Sequence, residues 1–304
     1  FAYANLAGAY MALNRYAEAK AIQEEKLGRF PDDVDGHLTL YVIAYLQNDT
    51  AAMQRHADWA KGKSAEAPLQ SIQAGIAAGS GQMQKSRELV RQAAEIARRY
   101  NLGESAATWE ADLAVSEALC GDLGRARAMA KSMLASPGGV RAKATAAFAL
   151  TLAGEVGPAQ AIVDEVARRF PTNTILQNVQ VPSLRAAIEL ERRNPERALE
   201  LLERVRPYEL AFPPAIYLRG RAYLEAGKGA EAAAEFDKIL KHRGIDPVGL
   251  LTPLAQLGVA RAYNQAGKSA EARKAYQDFL ALWKDADSDL PLLQQAKAEY
   301  AKLK

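Results

Sequence analysis

Catalysis, metal binding and cofactor binding each need particular residue types at workable spacings, and this sequence offers few of them. Its three histidines, His37, His56 and His242, are scattered and form no His-Glu-x-x-His helix or other ligand spacing, so no metal site is expected. They read instead as surface or interhelix packing. The single cysteine, Cys120, directly precedes Gly121 in an Ala-rich stretch, the setting of a buried small hydrophobe rather than a nucleophile. Gly79-Ser80-Gly81 lacks the third glycine and the preceding strand of a dinucleotide site, and neither a phosphate-binding Gly-x-x-x-x-Gly-Lys-Ser/Thr nor a Gly-x-Ser-x-Gly elbow occurs. The paired acids Asp32-Asp33 and Asp285 with Asp287 fall in turns and beside helix starts, where capping explains them. No catalytic, cofactor-binding or metal residue is therefore assigned. The polar groups left to explain are Arg221 and Arg261, which open two phrases forty residues apart, "RAYLEAGKGAEAAAEF" (221–236) and "RAYNQAGKSAEARKAY" (261–276). Arginines at matching places could grip a carboxylate or phosphate through paired N–H groups, or could simply pair with nearby acids such as Glu225.

The elements that would position them follow from those phrases. Ile216, Gly220, Tyr223 and Leu224 recur at helical spacing, Gly227 stops the helix, and Ala232, Ala233, Phe236, Ile239 and Leu240 resume it. The unit is thus helix, tight turn, helix. The same turn, with a small residue five positions on, recurs at Asn14 with Ala19, Gly81 with Ser86, Gly121 with Ala126, Gly154 with Ala159 and Gly267 with Ala272. Weaker copies stand at Asn48 with Met53 and around Arg193-Asn194 with Ala198. Turn positions 14, 48, 81, 121, 154, 193, 227 and 267 are separated by 34, 33, 40, 33, 39, 34 and 40 residues, the signature of helical-hairpin repeats with some lengthened connectors. "GRFPDD" (28–33) and "RRFPTN" (168–173) end second helices with Arg, an aromatic and Pro, as "RRYNLG" (98–103) does with Asn for Pro. The expected hairpins are approximately 1–31, 35–65, 69–100, 104–136, 140–171, 175–206, 213–243 and 251–284. A single amphipathic helix over 289–303 is expected to seal the open end.

Residues 3–31, 216–244 and 256–283 resemble the tetratricopeptide repeat. Tyr3, Leu6, Ala7, Tyr10, Ala19 and Pro31 match its pattern of large, small and helix-ending positions, as do Gly220, Tyr223, Gly227, Ala232 and Phe236, and Ala260, Tyr263, Gly267, Ala272 and Tyr276. Copies between 35 and 210 depart from it, with Met53 at a small position and Gln73 or Lys143 where large residues are usual. The resemblance implies an all-α, right-handed α-solenoid of about eight repeats with a C-terminal capping helix, its first helices lining a concave groove that takes a protein or peptide. Groove candidates are Tyr45, Val115, Phe148, Tyr217, Arg221, Leu257, Arg261 and Asn264. The Lys and Asn clamp with which some members of the family hold a terminal carboxylate is not matched, since Ala4, Gly8, Leu38, Val42, Ser71 and Gly75 stand on the first three first helices. The closing stretch 275–304 is also similar to repeat regions attached to bacterial serine/threonine protein kinases, although no kinase motif occurs within the chain.

Bulk composition agrees with such a scaffold. The 39 basic and 36 acidic residues nearly balance along the 304-residue chain, which argues against nucleic acid as partner. No stretch approaches the roughly 20 apolar residues of a membrane helix, so no membrane insertion is expected. The chain starts at Phe1 without Met or a signal peptide and is read as a piece of a longer protein. Cytoplasm is the favoured compartment, with periplasm the alternative if a membrane helix lies upstream. Expected functions are a non-catalytic protein-binding scaffold, the interaction or sensor region of a larger bacterial signalling protein, and alternatively the regulatory segment of a serine/threonine protein kinase whose catalytic domain lies upstream of Phe1, or the effector-sensing segment of a transcriptional regulator.

Overall fold

Eight left-handed residues set the architecture. In the computed structural model, which describes residues 2–135 and 139–303, Asn14, Asn48, Gly81, Gly121, Gly154, Arg193, Gly227 and Gly267 all have positive φ, between 57° and 95°. At each, the N–H one residue further on donates to the carbonyl five residues back, as in Lys228 to Tyr223 (2.8 Å) and Gln82 to Ala77 (2.9 Å). This bond satisfies a helix-end carbonyl and reverses the chain in two or three residues. Glycine fills most of these positions because it enters that region without steric cost, and asparagine is next best.

The helices so delimited pack as consecutive antiparallel pairs: α1 (Ala2–Ala12) with α2 (Tyr16–Arg29), α3 (Val34–Leu46) with α4 (Thr50–Ala60), α5 (Glu66–Gly79) with α6 (Met83–Arg99), and α7 (Gly103–Cys120) with α8 (Leu123–Leu134). Then follow α9 (Val140–Leu152) with α10 (Val156–Arg169), α11 (Val181–Glu191) with α12 (Pro195–Glu203), α13 (Pro214–Glu225) with α14 (Gly229–Lys241), and α15 (Leu251–Gln265) with α16 (Ser269–Leu282). A last helix, α17 (Pro291–Ala301), follows. Among the described residues there is no strand, and the expected all-α solenoid is what the chain forms. Ala19, Ser86, Ala126, Ala159, Ala198, Ala232 and Ala272, each five residues after its turn, are buried almost completely, which lets paired helix axes approach. Met53 is only partly buried, and its neighbour Ala52 takes the inner place in α4.

One feature departs from an open stack. The second half of the chain folds back onto the first, so the solenoid closes on itself. Trp283 donates its indole N–H to the Gly79 carbonyl (3.0 Å), Asp287 donates its N–H to the Gly81 carbonyl (3.0 Å), and the Asp287 carboxylate accepts from the Gln84 N–H (2.8 Å), capping α6 from two hundred residues away. Pro291 packs against Gly121 at the end of α7, and Asn14 bonds to the Lys241 carbonyl and the Gly244 N–H. Met83, Leu113 and Cys120 consequently share one core with Trp283, Leu290, Leu292 and Leu293. Helix α17 therefore does not merely seal a free end: its apolar face is packed against both α16 and α7.

Candidate functional site

The first helices of successive pairs form the inner wall. Five of them, α5, α7, α9, α11 and α13, converge on a concave cavity of about 690 Å³. Trp109, Asp112 and Val115 enter it from α7, Arg141, Thr145 and Phe148 from α9, and Ser183 and Leu184 from α11. Tyr217 and Leu218 come from α13, and Phe212 from just before it. A five-residue π turn, Leu176–Gln180, leads into α11 and brings Gln180 to the same space. A hollow of similar volume, 710 Å³, lies between α7, α8 and α9, but its wall mixes small residues such as Gly103 and Ala107 with Arg98, Glu110 and Lys143 and holds no aromatic ring. Convergence of five helices and four aromatic rings singles out the concave cavity.

The connector between α14 and α15, residues 242–250, closes one side of this cavity. Its backbone lies directly on α5: a methyl group at Gly75 would stand 2.8 Å from the Val248 carbonyl oxygen, and one at Gly79 would stand 2.9 Å from that of Gly249. These two glycines, one helical turn apart, make the contact possible. Asp246 steadies the connector by accepting the Leu251 N–H (2.9 Å), which caps α15; burial raises the pKa of this carboxyl, opposed by that bond. The small residues found where a carboxylate clamp would need Lys and Asn thus have, at Gly75, a steric cause: the chain's own connector occupies that part of the concave face.

The eight residues proposed from the sequence fall into five settings. Val115, Phe148 and Tyr217 line the cavity together. Tyr45 on α3 is half-buried within electrostatic reach of Arg243 of the connector, and burial raises its phenol. Arg221 is bonded to Glu191 (3.1 Å) and lies 3.7 Å from Glu225, while Arg261 makes a two-point pair with Glu299 of α17 (2.9 and 3.1 Å), which also accepts from the Tyr276 hydroxyl (2.9 Å). Both guanidiniums have partners inside the chain, which is where their hydrogen-bonding capacity goes. Leu257 is 1% exposed in the core, because α15 is packed between α14 and α16 and also touches α5, and Asn264 is exposed near the end of the same helix.

Trp109, Asp112, Arg141 and Phe212 join the cavity wall beyond the residues expected from the sequence. Helical spacing back from Val115 reaches Asp112 and Trp109, and from Phe148 reaches Thr145 and Arg141, so the period carried the signal for three of the four. Burial in the cavity wall pushes the Asp112 carboxyl up to about 6, with Arg141 acting in the opposite sense. The Asp112 side chain is exposed to the cavity.

The remaining reactive groups are occupied structurally. Cys120 is fully buried, and burial together with the nearby Glu117 pushes its thiol up to about 12, far from a reactive thiolate. Glu117, also fully buried, receives Arg87 through two bonds (2.5 and 3.0 Å). His37 stacks on Trp59 (ring centroids 3.6 Å apart) and its Nε2 lies 2.9 Å from the Pro31 carbonyl, to which it must donate. Its Nδ1, 2.9 Å from His56 Nδ1, is then the acceptor of a His56 N–H. Burial, then His37, then Arg55 bring His56 down to about 4. Among the described residues no three His, Cys, Asp or Glu groups gather as metal ligands, and no helix is long and apolar enough to cross a membrane.

Sequence models of the tetratricopeptide repeat match residues 2–33, 183–249 and 217–288. Those segments are similar to tetratricopeptide repeats. Between the matched segments helical hairpins with the same left-handed turns continue from α3 to α10. No curated protein matches the chain. Among solved structures it is similar to the crystal structure of the P58(IPK) TPR domain at 2.5 Å, with 10% identity over 99% of this chain and 97% of that one and a TM-score of 0.34.

Proposed function

We propose that this chain is a non-catalytic protein-interaction scaffold whose binding face is the concave wall left open beyond the connector. The carrying observation is the convergence of Trp109, Phe148, Phe212 and Tyr217 on one cavity from successive inner helices. Aromatic side chains that are partly exposed in a concave, largely apolar wall are the usual anchors of recognition. In finer terms, we read the chain as the interaction or sensor region of a larger signalling protein, cytoplasmic and bacterial, acting on a catalytic or DNA-binding domain elsewhere in the same polypeptide. The near balance of charge favours protein over nucleic acid as partner.

The test places a photo-crosslinking amino acid at Val115 and, separately, at the outward-facing Lys85, and compares what each captures. Partners captured at 115, and lost when Phe148 or Tyr217 is changed to Glu, are expected. Equal capture from both positions, unaffected by those changes, refutes the concave binding face.

A further inference from the structure

The connector between α14 and α15 meets the first three hairpins as a bound peptide would. Apart from one 3₁₀ turn, Arg243–Ile245, it has no helix, and it crosses inner helices α1, α3 and α5. Gly244 sits on α1: a methyl group there would stand 1.8 Å from the Met11 carbonyl oxygen, and its N–H donates to the Asn14 side chain (3.3 Å). Val248 packs with the apolar cluster that Met11 of α1 shares with Leu40 and Val42 of α3, beside Ile72 of α5, while the carbonyls of Val248 and Gly249 rest on Gly75 and Gly79. Taking the concave wall as the binding face, we infer that this face continues beneath the connector and that residues 243–249 are its internal pseudo-ligand. A partner's extended segment, with one branched apolar side chain between small residues, binds there by displacing them.

The chemistry of that segment is read from the face itself. Gly75 and Gly79 leave a channel that admits a main chain at close range and excludes bulky side chains, and the cluster around Leu40 and Ile72 takes one apolar group. That the connector can leave follows from how little holds it. The other contact between the halves buries Trp283, Leu290 and Leu293 in one core with Met83 and Cys120. The connector offers the cluster only Val248, which is partly exposed, and its hydrogen bonds to the first hairpin both involve the Asn14 side chain. Among the described residues no backbone group of 246–249 is hydrogen-bonded to α5, and Val248 and Gly249 also border the open cavity. Apolar attraction scales with the area buried, so the connector can be displaced while the larger core stays closed.

The test adds a fluorescent peptide with the sequence of residues 242–249 to the full chain and to a released variant carrying Gly244→Ala and Val248→Asp. The first substitution drives a methyl group into the Met11 carbonyl, the second puts a charge in the apolar cluster, and a Cys120 thiol that stays protected shows that the halves remain joined. A segment tethered at both ends competes at an effective concentration of about 1 mM, so a peptide that binds the emptied face at about 50 µM should bind wild type about twentyfold more weakly. Adding Gly75→Ala to the released variant should weaken binding about tenfold, because the methyl group stands where the peptide main chain must lie. No binding, equal binding to wild type and released variant, or binding indifferent to Gly75→Ala overturns the pseudo-ligand assignment. Partner capture at Val115 that persists in the released variant then leaves the open concave wall standing. Should that variant expose Cys120, wild type decides: about 1 mM peptide should speed amide hydrogen exchange in the connector, read on fragments reaching into α15, and unchanged exchange overturns the assignment.

Discussion

The closure of the solenoid makes Gly81 and Gly227 an instructive pair. Both end a first helix with left-handed backbone, φ +72° and +75°. They differ in what surrounds them. A methyl group at Gly227 meets nothing within 4 Å, whereas at Gly81 it collides with the Ala286 side chain and stands 3.1 Å from the Trp283 ring, both from the returning half of the chain. Gly227→Ala should therefore cost only the strain of a non-glycine residue in the left-handed region, about 1–2 kcal/mol. Gly81→Ala carries the same strain plus the overpacking of a full core, a further ~1–3 kcal/mol. Urea titration gives the comparison, and Cys120 supplies an internal reporter of where the loss occurs. Its thiol is buried in the core shared by Trp283 and Leu292, so reaction with a disulfide reagent under native conditions requires that interface to open. The thiol should react markedly faster in Gly81→Ala than in wild type and near the wild-type rate in Gly227→Ala. If the two variants show equal urea midpoints and equal thiol reactivity, the contact between the halves is not the constraint we describe.

Three further outcomes can be checked. His56 has a native pKa of about 4 against an ordinary 6.5, so the unfolded chain binds more protons between those values and stability should fall as pH falls from about 6.5 to 4. Discounted for a partly exposed ring, the loss attributable to His56 is about 1–2 kcal/mol, read as the difference in pH dependence between wild type and His56→Gln in urea titrations. Phe236 is 1% exposed and wedged where methyl groups at Gly220 and Gly258 would stand 2.5 and 2.6 Å from its ring; Phe236→Ala should cost about 3–5 kcal/mol in a thermal melt, and Phe236→Leu appreciably less. Arg261→Glu should destabilise the packing of α17 and be partly rescued by Glu299→Arg in a double-mutant cycle read by urea titration.

The hairpins were legible because their grammar is local. Gly227 or Asn14 ends a helix through the conformation of one residue, and Ala232 or Ala19 marks the inner face of the next helix by its size, so period and turn chemistry carry the fold. Even Arg193, where the side chain gives no hint of a left-handed turn, was found from spacing alone. The return of the second half onto the first was not legible. It rests on backbone lying against Gly75 and Gly79 and on single bonds such as Trp283 to Gly79, whose partners are separated by about two hundred residues and share no pattern. The candidate site shows the same division. Phe148 and Val115 followed from helical phase, but phase also placed Leu257 and Arg261 on the concave side, because it does not reveal that α17 and α5 cover parts of α15.

Joining Asn14 to residues 241 and 244 also alters how the molecule must fold and respond. In an ordinary repeat array every contact is short in sequence, stability is nearly a sum over neighbours, and pieces can be removed from either end. Here bringing the two ends of a 230-residue segment together costs about 5 kcal/mol of chain entropy beyond a constant, from (3/2)RT ln n. That raises the contact order well above that of a helical array and should slow the last step of folding. It also ties distant hairpins into one cooperative unit: deletion of α15–α17 would strip the core from α5–α7, so a truncation at the C-terminus should be felt as unfolding in the first half of the chain.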